Sequence, residues 1–147
     1  MSKEEQQMTG TFTLSGESFR LSLVFHVFES DIACPANAVI SVCVSGGGFS
    51  GCAEMDIDIK DIAGFCGDLQ RIYDSLAGEA RIQEPFGERQ YILFSGDRRG
   101  HVMISGMLTS GGAGGCRQEL RFENCIDQTS LPCFLGGLTE FARRAGV

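Results

Sequence analysis

Hydrophobic and polar residues alternate along most of the chain. In "FRLSLVFHVF", the side chains of Leu21, Leu23, Phe25 and Val27 share one face of an extended strand. Apolar side chains also occur on the other face, which predicts a strand in the interior of a sheet. The same alternation recurs in "AVISVCVS", "EARIQE", "RQYILFSG", "HVMISGMLTS" and "CRQELRFENC". The segments "PFGE", "DRRG" and "SGGAGGC" are too short for parallel crossovers, so they predict antiparallel hairpins.

The alternation gives way to a helical period after "CAEMDIDI". Apolar residues then recur at spacings of three and four, which predicts an amphipathic helix at about 59 to 77. We expect Asp58 with Asp61 to form its N-terminal cap, and Gly78 to end it as the residue after the C-cap.

A second helical stripe predicts a C-terminal helix at about 130 to 144, with Thr129 or Ser130 as its cap and Pro132 in its first turn. The elements together predict an α+β fold. Its core is a largely antiparallel β-sheet of about seven or eight strands, with one inserted helix and one C-terminal helix packed on the sheet.

Length and charge narrow the function. The 147 residues suit one domain, placed at residues 10–147 after a disordered polar tail at residues 1–9. The net charge of −7 argues against nucleic acid and anionic membranes as partners, because both recruit clustered cations. A basic protein partner fits this charge better, although mild acidity also keeps a protein soluble. The start "MSKEEQQMTG" lacks a signal-peptide pattern, which predicts a cytoplasmic protein.

Seven cysteines occur without a CxxC pair. Several, including Cys43 and Cys66, stand in apolar periodic segments, so we expect small buried thiols in a reducing compartment. The cysteines and two histidines lack the spacing of a zinc site, and no metal or cofactor is predicted.

Two kinds of candidate chemistry remain. "SGGAGGC" is rich in glycine, but an alternating segment and not a helix follows it, so it predicts a hairpin and not a phosphate loop. Polar residues at the first strand-to-helix transition and around "DRRG" are the candidate partner-binding residues: Glu54, Asp56, Asp58, Asp97, Arg99 and His101. No catalytic residue is predicted.

Three longer stretches resemble a known family. "IAGFCGDLQRIYDSLAGEARI", "YILFSGDRRGHVMISGML" and "LRFENCIDQTSLPCFLGGL" are similar to the WapI-like immunity proteins of bacteria, over roughly residues 48–141. The resemblance implies an α+β fold and a protein that binds and neutralises a contact-dependent toxin inside the producing cell. It transfers no catalytic residue.

The leading hypothesis is therefore a non-enzymatic, cytosolic binding protein whose acidic surface meets a protein partner, such as a basic toxin domain. One alternative is a small enzyme or ligand-binding protein with a site near Asp97, Arg99 and His101. Another is a self-associating protein, a possible homodimer, because exposed strand edges can pair across a two-fold axis.

Overall fold

The computed structural model describes residues 7–28, 37–86, 89–111 and 114–147. The described strands are β1 (Gln7–Ser15), β2 (Phe19–Phe28), β3 (Ala38–Gly46), β4 (Phe49–Ile57), β5 (Ala77–Gln83), β6 (Tyr91–Asp97), β7 (His101–Gly111) and β8 (Arg117–Asp127). Helix α1 (Ile59–Ser75) lies between β4 and β5 in the chain, and helix α2 (Leu131–Arg144) follows β8. Both predicted helices are confirmed; α1 ends two residues before its predicted end, and α2 begins one residue after its predicted start.

The strands form two four-stranded sheets, ordered β1-β2-β3-β4 and β5-β6-β7-β8. Within each sheet, consecutive strands pair antiparallel, which confirms the predicted antiparallel links; residues 87–88 of "PFGE" and 112–113 of "SGGAGGC" lie outside the described residues. The α+β class and the strand number are confirmed. The strands are divided between two sheets because α1 interrupts the meander, and the chain returns from it as the first strand of the second sheet.

One hydrophobic core joins both sheets and both helices. The ring of Phe94 on β6 lies 5.5 Å from that of Phe65 on α1 and 6.0 Å from that of Phe134 on α2, measured between centroids. On the other sheet, Phe25 of β2 lies 5.6 Å from Phe141 of α2. The helices therefore contact the buried faces of both sheets, and aromatic packing of this kind stabilises the joint.

The ends of α1 are held differently from each other. The Asp58 side chain accepts a hydrogen bond from the N–H of Lys60 at 2.9 Å, so the predicted cap residue is confirmed. Gly78 is not the terminating residue, because the helix already ends at Leu76, whose φ of 63° is left-handed. The chain enters β5 at Ala77 directly after this turn, so Gly78 belongs to the strand.

The start of α2 also differs from its prediction. Asp127 accepts hydrogen bonds from the N–H and hydroxyl of Thr129, at 2.9 and 2.8 Å, and a 3-10 turn over Gln128–Ser130 leads into the helix. Ser130 occupies the cap position without a side-chain cap bond within the described chain, and Pro132 lies in the first turn. Asp127 therefore caps the 3-10 turn, and the predicted caps Thr129 and Ser130 do not cap α2.

The N-terminal strand begins earlier than polarity predicts. β1 already includes Gln7, Met8 and Thr9, and Met8 is buried opposite Val27 of β2. The expected tail at residues 1–9 is therefore wrong at residues 7–9, which belong to β1. Pairing with β2 satisfies their backbone groups whatever the polarity of their side chains.

Candidate partner-binding surface

The acidic residues of β4 lie on the exposed side of an outer strand. Glu54 and Asp56 are exposed and alternate with the buried Met55 and Ile57, as the period of two predicts. β4 pairs with β3 on one side only. Its other edge therefore needs partners for its backbone groups.

Two buried polar side chains from the connection between β5 and β6 supply those partners. Gln90 donates from its amide to the carbonyl of Glu54 at 2.7 Å, and Glu84 accepts from the N–H of Asp56 at 3.2 Å. Gln90 also accepts from the N–H of Thr109 at 2.9 Å. Glu84 and Gln90, which we call the clasp, are 7% and 4% exposed and contact each other through three further hydrogen bonds. The clasp thus joins the two sheets, and sequence analysis did not single it out.

Asp58 is used by the fold. Besides capping α1, its carboxylate accepts from the amide of Asn37 at 3.2 Å. The side-chain oxygen of Asn37 in turn accepts a hydrogen bond from the N–H of Ile59 at 2.8 Å. Asn37 is 1% exposed, so this pair fixes the first turn of α1 to the start of β3. Its cap role accounts for the carboxylate at position 58.

Asp97 organises the turn between β6 and β7. One carboxylate oxygen accepts from the N–H groups of Arg99 at 2.7 Å and His101 at 3.0 Å, and the other lies 3.1 Å from the His101 ring. The bond from Arg99 is the main cause that lowers the pKa of Asp97. Arg98, with φ of 69°, donates its N–H to the carbonyl of Leu76. These bonds explain an aspartate at position 97 as a turn former.

The six candidate residues fall into two separate groups. Asp58 stands at the N-terminus of α1, whereas Asp97 pairs with Ala77, just beyond the other end of that helix. Because α1 has 17 residues, about 1.5 Å each, the two groups lie roughly 25 Å apart. They therefore form two surfaces rather than one site.

Exposed aromatic rings mark two places on the surface. Phe86, 70% exposed, follows the clasp residue Glu84 by two positions and so lies near the β4 acids. Phe49, 76% exposed, is the first residue of β4. Asp56 follows Phe49 by seven positions along β4, so the two residues lie roughly 23 Å apart. Phe49 also borders a cleft of about 500 Å³ between the β3–β4 hairpin and β8.

β8 carries charges of alternating sign on its exposed side. Glu119 lies 3.3 Å from Arg117 and 2.6 Å from Arg121, while Leu120 and Phe122 are half-buried on the other side. Hydrogen bonding to Arg121 lowers the pKa of Glu119, and the same contact raises that of Arg121. The predicted wet face is confirmed, but the two ion pairs of Glu119 run along β8, since Glu119 faces Thr109 across the sheet.

The cysteines depart from the prediction of small buried thiols at five positions: the pair Cys43 and Cys52, and the exposed Cys116, Cys125 and Cys133. Cys43 and Cys52 lie directly opposite each other on β3 and β4 and form a disulfide. Cys43 is exposed because Ile40, Val42 and Val44 set the buried face, and position 43 has the opposite parity.

The other thiols vary in burial. Cys66 is buried as expected, and burial raises its pKa. Cys116, Cys125 and Cys133 are exposed, and Cys34 lies outside the described residues. No three metal-ligating His, Cys, Asp or Glu side chains converge in the described parts of the chain.

The fold and surfaces describe a small α+β protein of two antiparallel meanders joined by two helices and a buried clasp. The chain belongs to the immunity protein WapI-like family, whose family model matches residues 10–146. Membership suggests a role in neutralising a toxin and a protein as partner. Comparisons with curated proteins and with solved structures found no match. Among the described residues, no helix has the length and apolar content needed to cross a bilayer.

Proposed function

We propose that this chain is a non-enzymatic immunity protein of the cytoplasm that binds a basic toxin domain and blocks its activity. The family match over residues 10–146 carries the proposal. The net charge of −7 supports a basic partner, because opposite charge speeds association and favours the correct encounter.

The contact surface that we propose is the β4 patch, defined as Glu54, Asp56 and Phe86. Protein interfaces commonly place an aromatic anchor among polar side chains that remain at the rim. Phe86 is a large exposed ring, and the two β4 acids are engaged neither in a helix cap, as Asp58 is, nor in a turn, as Asp97 is. The clasp holds the β4 backbone and the chain before Phe86 in a fixed relation, so the patch is preorganised.

The test uses the purified chain and the inactivated toxin domain encoded beside its gene. We expect binding by isothermal titration calorimetry and an association rate that falls when salt rises from about 50 to 500 mM. Absence of binding, together with absence of protection when both are expressed in cells, would refute the toxin-binding function.

Two phenylalanine variants test the proposed contact surface independently of the toxin-binding function. Phe86→Ala should weaken binding by at least roughly 30-fold, as truncation of an anchor residue does. Phe49→Ala is the matched control, since that ring is equally exposed but roughly 23 Å away along β4. A loss confined to Phe49→Ala would leave the function standing and move the surface to the cleft beside β8.

A further inference from the structure

β8 is an outer strand whose far edge pairs with no described strand. The first sheet ends at β1, against which α2 packs, and at β4, whose free edge the clasp engages. The second sheet ends at β5, against which α1 packs, and at β8. β8 has 11 residues and pairs with β7 on one side, and the described residues supply no strand on the other. A strand edge of this length is a template for another strand.

The exposed side of β8 bears a row of four charges: Arg117, Glu119, Arg121 and Glu123. Their opposite residues on β7 carry no charge, being Gly111, Thr109, Met107 and Ser105. Within the described residues, Glu119 is paired with both arginines along the strand.

We propose that β8 pairs antiparallel with β8 of a second copy of this chain, across a two-fold axis at Leu120. In that register, residues equally far from position 120 lie opposite each other. Arg117 then faces Glu123 of the partner, and Glu119 faces the partner's Arg121. Symmetry repeats both pairs, so every charge of the row meets an opposite charge.

Neighbouring registers match fewer of the four charges of the row. An axis at Glu119 sets that residue opposite its own copy and Arg117 opposite Arg121. An axis at Arg121 likewise pairs like charges. An axis at Phe122 sets Arg121 opposite Glu123 and Arg117 opposite Asp127, but it leaves Glu119 opposite Cys125, and Asp127 already accepts two hydrogen bonds from Thr129. Like charges directly opposite destabilise strand pairing, so the row selects Leu120.

The product is one continuous sheet of eight strands, four from each copy. Strand pairing alone buries a small area, so we expect reversible dimers with dissociation constants of roughly 10 to 100 µM. Salt should weaken them, because the charge pairs lie at the surface. Self-association of this kind does not depend on a toxin, so the chain alone suffices for the test.

The experiment measures mass by sedimentation velocity from about 5 to 500 µM. Glu119→Arg and, separately, Arg121→Glu each place like charges opposite one another twice, and each should weaken the dimer at least about tenfold. The double variant Glu119→Arg/Arg121→Glu restores opposite charges and should return the dissociation constant to within about threefold of wild type. The control is Glu140→Arg, which makes the same charge change at an exposed ion pair of α2.

Hydrogen exchange provides a second measurement on the same samples. Amides of β8 should gain protection as the wild-type concentration rises, and those of Glu119→Arg should not. A wild-type chain that stays monomeric to 500 µM would overturn the proposal. A dimer that tolerates Glu119→Arg as well as Glu140→Arg, or that the double variant fails to restore, would also overturn it. Protection of β8 in a monomer only after the toxin domain is added would assign the edge to the toxin instead.

Discussion

Replacement of Gln90 by alanine tests whether the clasp joins the two sheets. The Gln90 side chain makes three hydrogen bonds, to Glu54, Glu84 and Thr109, at 2.7, 3.2 and 2.9 Å. Its removal takes a partner from the carbonyl of Glu54, the carboxylate of Glu84 and the N–H of Thr109. Glu54 lies on β4 and Thr109 on β7, so the loss weakens the contact between the two sheets.

The expected loss follows from the three groups. A buried polar group left without a partner costs about 1–3 kcal/mol, and solvent reaches part of this site once the side chain is removed. We therefore expect Gln90→Ala to lower the free energy of unfolding by about 3–5 kcal/mol. That is a large part of the about 5–15 kcal/mol typical of a domain.

Urea unfolding at 25 °C, followed by circular dichroism, measures the change. The control is Gln83→Ala, because Gln83 is a half-buried glutamine at the end of β5 whose amide oxygen accepts a bond from exposed Arg81. That control should change stability by no more than about 0.5 kcal/mol. If Gln90→Ala falls within about 0.5 kcal/mol of Gln83→Ala at an unchanged urea slope, the clasp does not hold the sheets together.

Two further predictions concern a crowded glycine and the β6–β7 turn. Gly96→Ala should lower the free energy of unfolding by more than about 2 kcal/mol in the same assay, because its Cβ would lie 2.5 Å from the carbonyl oxygen of Leu76. The control, Gly64→Ala on the open face of α1, should raise it by about 0.5–1 kcal/mol. Equal effects of the two variants would contradict the crowding at Gly96. Because the pKa of Asp97 is lowered in the folded state, its ionised carboxylate stabilises the fold above about pH 4, and this stabilisation is lost as the pH falls through the folded-state pKa. Asp97→Asn should therefore be less stable than wild type at about pH 6 and approach wild-type stability at about pH 2. A stability difference between Asp97→Asn and wild type that is the same at both pH values would show that the carboxylate charge does not stabilise the fold.

Local patterns predicted the elements because each element has its own period. The alternation in β2 and the spacing of three and four in α1 depend only on which face of the segment is buried. The end of α1 was harder to predict, since Leu76 adopts a left-handed conformation in which glycine is favoured. A bond from the Arg98 N–H to the Leu76 carbonyl helps to hold that turn, and this contact between distant segments has no local signal.

The candidate site was predicted only in part for a related reason. The exposure of Glu54 and Asp56 follows from parity, but the backbone edge beneath them is completed by Glu84 and Gln90, about 30 residues further along the chain. A glutamate and a glutamine near a turn have the composition of a solvated loop. Their burial arises from the approach of two sheets, and no periodicity within either segment encodes that approach.

The charges of β8 show how a correct pattern can have several structural explanations. Alternating arginine and glutamate predicts an exposed face whether the strand is central or at an edge. Cross-strand ion pairs require a charged neighbour, and β7 offers Thr109 and Met107 opposite Glu119 and Arg121. Parity therefore determines which side chains reach solvent, whereas sheet order determines what they meet there. Because β8 is outermost among the described strands, none of them can match its charges on that side, whereas the proposed second copy carries the same row in reverse.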